Sequence, residues 1–194
     1  MKIIFASNNK GKIEQVKQFF KFTEVVGLKE YGIDIDVEET GSTFKENACL
    51  KAKAIGELTN EIVIADDSGL EIEEYDGWPG VYTHRFLGEN STTQERNDYI
   101  LNRMKDLPHE KRKCTVKCVI ALYYKGEMFT FDGDYNSYIS KEKQGENGFG
   151  FDEIVEVEGR GTLACLTNEE KLQLNARSLA LRLASKKLEE LLNS

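Results

Sequence analysis

The sequence predicts an α/β protein built on a mixed β-sheet. Three observations lead there. Short apolar strands alternate with amphipathic helices through the first part of the chain. Two long segments rich in β-branched and aromatic residues follow, 114–124 and 128–140, and a turn at 125–127 joins them as an antiparallel hairpin. Thr-x-x-Glu capping boxes stand at Thr43/Glu46, Thr92/Glu95 and Thr167/Glu170, each opening a helical pattern. A hairpin added to alternating strands and helices makes the sheet mixed rather than purely doubly wound.

The elements follow in order. "KIIFA" (2–6) reads as a short buried strand, and "GKIEQVKQFFKF" (11–22) sets Ile13, Val16, Phe19 and Phe20 at helical spacing. "EVVGL" (24–28) is a second strand. The helix opened by Thr43 carries Phe44, Ala48, Ala52 and Ile55 on one face. "IVIA" (62–65) is a third strand, expected to end where Asp66 and Asp67 begin. Thr92 opens a helix with Tyr99, Ile100, Leu101 and Met104. "FGFDEIVEV" (149–157) reads as a loop and then a strand. From Thr167 the pattern is helical, with a break near Asn175.

With 194 residues, 40% hydrophobic and 31% charged, the chain suits one compact domain over 1–194 with a sizeable core. It holds no repeat and no long linker. No apolar run approaches the ~20 residues of a membrane span. The N-terminal apolar stretch is shorter than the ~7–15 residues of a signal-peptide core. A cytoplasmic protein with no membrane partner is therefore expected. The net charge of −8 argues against long nucleic acid but not against a small phosphorylated ligand held by local cations. Cys114 and Cys118 are four apart in a strand and share a face; they read as buried reduced thiols rather than metal ligands. Two histidines, His84 and His109, are too few for a histidine-rich zinc site.

Five stretches could carry chemistry. "SNNKGK" (7–12) lies at a strand-to-helix turn, where free backbone N–H groups favour anions; Ser7, Asn8 and Asn9 add donors, and Lys10 and Lys12 add charge. It fits either a phosphate site or a polar connection. "ADDSGL" (65–70) places two like charges side by side, which repel unless solvated or shared with a cation. Glu38 and Glu39 form another acidic pair, open to the same two readings. On the third helix Asn47 and Lys51 share a face at i, i+4. In "GENGFGFDEI" (145–154) the glycines make the backbone pliant, while Phe149, Phe151 and Asp152 offer aromatic faces and an acceptor. Such a loop suits a nucleobase or simply anchors itself to the core.

Taken in order, "SNNKGK", "EETGSTFKENACLKA", "ADDSGLEIE…WPGVYTHRF", "GFGFDEI" and "LTNEEK" resemble the inosine triphosphate pyrophosphatase family. The resemblance runs through nearly the whole chain. It implies a two-lobed α/β fold with a long mixed sheet flanked by helices, a hairpin-rich lobe at roughly 112–140 and an active-site cleft between the lobes. It further implies a homodimer, a requirement for Mg²⁺, and cleavage of ITP, dITP and XTP to the monophosphate and pyrophosphate. By the same resemblance Ser7, Asn9 and Lys12 would hold the triphosphate, with Asn8, Lys10 and Gly11 completing the loop. Glu39 would help bind Mg²⁺ and Lys51 would contact phosphate. Asp67 would be metal-associated and the general base, with Asp66 beside it and Ser68 touching substrate. Phe149, Gly150, Phe151 and Asp152 would line the base pocket, and Lys171 and Arg177 would close over the nucleotide.

One departure stands out. The family usually carries Ser-His-Arg where this chain has Asn175, Ala176 and Arg177. The arginine is kept and the histidine, which in the family lies against or near the base, is not. The change bears on purine discrimination and turnover, and leaves the metal site untouched. Two other readings are compatible with the motifs: a Maf-like pyrophosphatase for other modified nucleotides, and a nucleotide-binding protein impaired in catalysis.

Overall fold

In the computed structural model, which describes residues 2–193, the elements are β1 (Lys2–Phe5), α1 (Lys10–Phe19), β2 (Glu24–Gly27), α2 (Leu28–Tyr31), α3 (Phe44–Thr59), β3 (Ile62–Ile72), β4 (Trp78–Pro79), α4 (Thr93–Arg103), β5 (Lys113–Tyr124), β6 (Glu127–Tyr138), β7 (Glu156–Val157), β8 (Gly161–Thr162), α5 (Asn168–Leu174) and α6 (Ala176–Leu192). Six strands form one sheet in the order β2-β1-β3-β5-β6, with β4 on β3. β1 runs parallel to both β2 and β3, and β4 runs antiparallel to β3. The sheet is therefore mixed, as expected, and helices flank it. β7 and β8 form a separate antiparallel pair.

The chain divides into two compact units. One contains the residues up to Asp67, Cys118–Gly133 and the residues from Arg177 on; the other contains Ser68–Lys117 and Asp134–Ala176. In the first unit β1 is paired on both sides, so its residues need no polar alternation, and Ile3, Ile4 and Phe5 are fully buried. α1 starts at Asn9, whose side chain accepts the Lys12 N–H, and buries Val16. α3 is opened by the Thr43/Glu46 capping box and stopped by Asn60 in the left-handed region. Its buried face is Phe44, Asn47, Ala48, Ala52, Ile55 and Gly56. Gly56 lies against the Tyr123 ring, and a Cβ there would overlap it. From α6, Ala180, Leu181, Ala184 and Leu188 are buried.

The second unit has its core in Leu70, Ile72, Ile100, Met104, Ile139, Ile154, Val155 and Leu163. α4 opens on the Thr92/Glu95 capping box. Arg112 is almost wholly buried among these apolar groups and donates to the carbonyls of Met104, Ile139 and Ser140. Burial lowers its pKa from the ordinary value. β5 and β6 are joined through Lys125 and Gly126, both with positive φ, as a type I′ hairpin turn requires. α5 and α6 meet at Asn175, where the sequence marks a break. Cys114 and Cys118 are buried, and burial pushes both thiols up to about 12, which keeps them as inert hydrophobes.

One expected boundary is wrong. The third strand does not end at Ala65 but continues through Asp66, Asp67, Ser68 and Gly69 to Ile72. β1 pairs only with Ile62–Ile64, so the acids lie beyond the end of that neighbour. The strand persists because it is also hydrogen-bonded to β5, and its far end meets β4, with Glu71 opposite Pro79 and Ile72 opposite Trp78. Asp-Asp-Ser-Gly reads as a loop locally; the long-range pairing overrides it.

Candidate functional site

Two groups of polar side chains are assembled, one within each unit. The first gathers on the turn after β1, the near face of α3, the middle of β3 and the start of α6. Ser7 Oγ accepts the Asn9 N–H at 3.1 Å, and Asn9 Oδ1 accepts the Lys12 N–H at 3.1 Å. Asn8 Oδ1 accepts the Lys29 N–H at 3.0 Å, which ties the turn to α2. Lys10 and Gly11 are exposed at the positive end of α1. Thus the turn is fixed by hydrogen bonds to its own side chains.

Asp66 and Asp67 are neighbours with opposite fates because β-strand geometry sends successive side chains to opposite faces. Asp66 is buried and bound by cations: Lys12 Nζ lies 3.3 and 3.0 Å from its two oxygens, and Arg177 Nε and one terminal nitrogen donate to Oδ2 at 3.1 and 2.9 Å. Gln15 accepts from the other Arg177 terminal nitrogen at 3.3 Å and donates to Ser178 at 3.1 Å, so it steadies the guanidinium. Burial opposes ionisation of Asp66, but Lys12, Arg177 and Lys51 outweigh it and hold the carboxyl far below the usual carboxylate range.

Asp67 is held differently. It is 6% exposed and accepts from Asn47 Nδ2 at 3.1 Å. Burial is the main influence; Glu39 and Asp66 add like-charge repulsion, Lys51 and Asn47 pull the other way, and the carboxyl is pushed up to about 6. Asn47 itself is fixed by its Oδ1, which accepts the Gly41 N–H at 2.8 Å; a Cβ on Gly41 would collide with it. Lys51 Nζ lies 2.5 Å from Glu39 Oε1. Burial works against its charge, but Asp66, Asp67 and Glu39 together raise its pKa.

This first group holds three carboxylates, Glu39, Asp66 and Asp67, against three cations, Lys12, Lys51 and Arg177. The charges roughly cancel before any ligand arrives. A polyphosphate would add about four negative charges at neutral pH, more than these side chains and Lys10 can neutralise. A hard divalent cation would correct that, and it takes carboxylate oxygens. Asp67 is the carboxylate suited to it: a divalent charge beside it would offset the burial and like-charge repulsion that raise its pKa. Among the described residues no three His, Cys, Asp or Glu side chains converge into a complete metal cage.

The second group sits in the loop 145–154. Asp152 Oδ2 accepts from Lys171 Nζ at 3.3 Å and from the Phe149 N–H at 3.3 Å. Lys171 is buried, and the Phe149 ring is 48% exposed, so the loop offers an aromatic face on a fixed charged base. Gly148 has a φ of +110°, and any side chain there would strike the Asp152 carboxylate and the Lys171 ammonium. Gly150 also adopts a positive φ, 66°. Phe151 packs on the core of this unit. Ala176, in place of the family histidine, is buried, and Ser68 is half-buried next to Asp67 in β3.

Sequence reasoning singled out most of these residues but not their pairings. Within the chain Arg177 pairs with Asp66 and Lys171 with Asp152, partners that residue type and spacing do not announce. Sequence reasoning passed over Gln15 and Asn97. Asn97 carried a readable signal: it stands in phase with the buried Ile100 and Met104 on α4, where an apolar residue is expected.

Comparison with known proteins agrees with the motif order. Residues 3–187 match the model of the Ham1 family. A relative named dITP/XTP pyrophosphatase from Thermoanaerobacter sp. (strain X514) is 42% identical over 184 residues, covering 93% of each chain. One of the same name from Bacillus subtilis (strain 168) is 40% identical over 190 residues, covering 96% of each. The solved structure of the Staphylococcus aureus Ham1 protein superposes with a TM-score of 0.88 at 41% identity, covering 98% of this chain and 99% of that one.

Proposed function

This chain belongs to the Ham1 family, and on that premise we propose that it is a nucleoside triphosphate pyrophosphatase that hydrolyses ITP, dITP and XTP to the monophosphate and pyrophosphate. The observation that carries the reading is the contrast between the two adjacent aspartates. Asp66 anchors the cations, and Asp67 keeps a carboxyl near neutrality beside them. A group with a pKa near the working pH is suited to accept a proton in the transition state.

Water adds to the α-phosphorus, the bond from that phosphorus to the α–β bridging oxygen breaks, and pyrophosphate leaves with the electron pair. Asp67 takes the proton from the attacking water. Asp67 and Glu39 would hold Mg²⁺, which would supply charge neutralisation and orientation. Ser7, Asn8, Asn9, Lys10, Gly11 and Lys12 receive the phosphate chain, and Lys51 lies between the acids to meet a phosphate oxygen. Arg177 acts by holding Asp66 in place. Phosphoryl transfer gains mainly from such positioning and charge placement.

The loop 149–152 reads the base: Phe149 stacks on it, and a backbone N–H of the loop donates to the 6-keto oxygen. Adenine presents an amine there and leaves that N–H unpaired, which disfavours it strongly. A homodimer and a cytoplasmic location belong to the same proposal; sedimentation of the purified chain tests the first. Among the described residues no helix is long and apolar enough to cross a membrane.

Release of pyrophosphate from ITP, XTP, dITP, GTP, ATP and dUTP, with Mg²⁺ and then with chelator, tests the reading. Release from the first three that chelator abolishes is expected. Equal rates on ATP, or no pyrophosphate from any of the six, would overturn it.

A further inference from the structure

We propose that Asn97, on α4 and outside every motif that marks the site, is the positioning residue that aims the base-reading loop. The inference rests on the reading of 149–152 as the element that recognises the base. Asn97 is fully buried in the apolar core of its unit. Its Nδ2 donates to the Gly150 carbonyl at 3.1 Å. Its Oδ1 is buried and has no hydrogen-bond partner among the described residues. The acceptor on the loop fixes which end of the amide faces it: turned over, Oδ1 would confront a carbonyl oxygen. An amide kept here with half of its hydrogen-bonding capacity unused is a poor choice for stability alone. What it does hold is a glycine carbonyl at the centre of the loop.

That carbonyl matters because the peptide unit is planar and trans. The Gly150 C=O and the Phe151 N–H belong to one rigid plane, so the bond from Asn97 sets the direction of both. Gly150 has a φ of 66°, a region glycine enters freely and leaves as freely, so an external tether is needed to choose one orientation. Asn97 does not act alone on α4. Gln94, one turn before it, and Asp98, the next residue, hold the two flanks of the same loop. Gln94 Nε2 donates to Glu153 at 3.0 and 3.1 Å, Lys143 Nζ donates to Gln94 at 2.8 Å, and Lys143 pairs with Asp98 at 2.6 Å. These flanking contacts are exposed and ionic or amide-like; the central one is part-buried, with a fully buried donor residue, and is therefore the stiffer one. α4 is thus a rail along which the loop is pinned at 143, 150 and 153.

Asn97→Leu removes the donor and fills the space with a side chain of similar size. Asn102→Leu, on the exposed side of α4, is the matched control. Two readouts are taken on the full chain: kcat and KM for ITP and ATP, and the backbone amide resonances of residues 148–152. Asn97→Leu is expected to keep a melting temperature near wild type and to lower the ITP-over-ATP preference in kcat/KM by at least about ten-fold, mainly through KM for ITP. The Gly150 and Phe151 amides are expected to shift, and Asn102→Leu to change nothing. If the leucine variant does not fold, Asn97→Ser, too short to reach Gly150, carries the same comparison. A folded variant with its preference intact, a fall in kcat alone, or unmoved loop amides would overturn the inference. Should the wild-type protein release no pyrophosphate from ITP, the proposed function fails instead, and the amide resonances alone decide the role of Asn97.

Discussion

Replacing Asp67 by asparagine should make the protein more stable and nearly inactive at the same time. In the folded chain the Asp67 carboxyl is pushed from the ordinary 3.8 up to about 6. The folded state therefore binds a proton more tightly than the unfolded state. Between those two values the folded state carries the extra proton, so stability falls as pH rises and the loss is complete above about 6. Roughly two pH units at about 1.4 kcal/mol each put the loss near 3 kcal/mol at pH 7. Asparagine cannot ionise, and its carbonyl can still accept from Asn47. Asp67→Asn should thus gain up to about 3 kcal/mol at pH 7, or about 6–12 °C in Tm for a chain of this size, and almost nothing at pH 3. Turnover of ITP should fall about 10²–10⁴-fold with the loss of the base. Urea denaturation in chelator at pH 3 and pH 7, with pyrophosphate release measured alongside, reads both effects. A variant that is less stable than wild type at pH 7, or one that turns over normally, would refute the reasoning.

Other outcomes follow from the same contacts. Arg177→Met leaves Asp66 buried with one cation fewer and should destabilise the fold by about 3–5 kcal/mol in urea denaturation at neutral pH. Because Asp66 is held below its ordinary pKa, its contribution should be present at neutral pH and fade only in acid below about 4. Lys51→Gln removes the charge that most favours ionised Asp67, so the acid limb of the kcat/KM profile should move to higher pH; an unmoved limb would deny the coupling. Arg112→Lys should not rescue the loss of stability caused by Arg112→Met, since three carbonyls need the planar fork, and thermal melts of the two variants test this.

Much of the architecture was legible because its signals are local. A Thr-x-x-Glu box needs only four residues, and all three form as read. The Lys125-Gly126 turn and the alternation on either side of it give the hairpin. What stayed hidden depends on distant partners. α2 is a single turn, too short to show a period. β4 is two residues long and exists only because β3 runs on to meet it. In the site, residue types were visible but their states were not. Asp66 and Asp67 are indistinguishable as letters; they part because one faces Lys12 and Arg177, the latter 111 positions away, and the other faces Asn47 and Glu39. Asn97 is legible only as a polar residue in an apolar phase, and that pattern does not say what it holds.

The chemistry itself can be watched. ³¹P NMR of ITP mixed with the wild-type protein and Mg²⁺ in H₂¹⁸O identifies the products and the phosphorus that water attacks. Equal amounts of IMP and pyrophosphate are expected, with the ¹⁸O on IMP. Inosine diphosphate with free phosphate, or label in the pyrophosphate, would contradict the assignment of the acids on β3 to attack at the α-phosphorus.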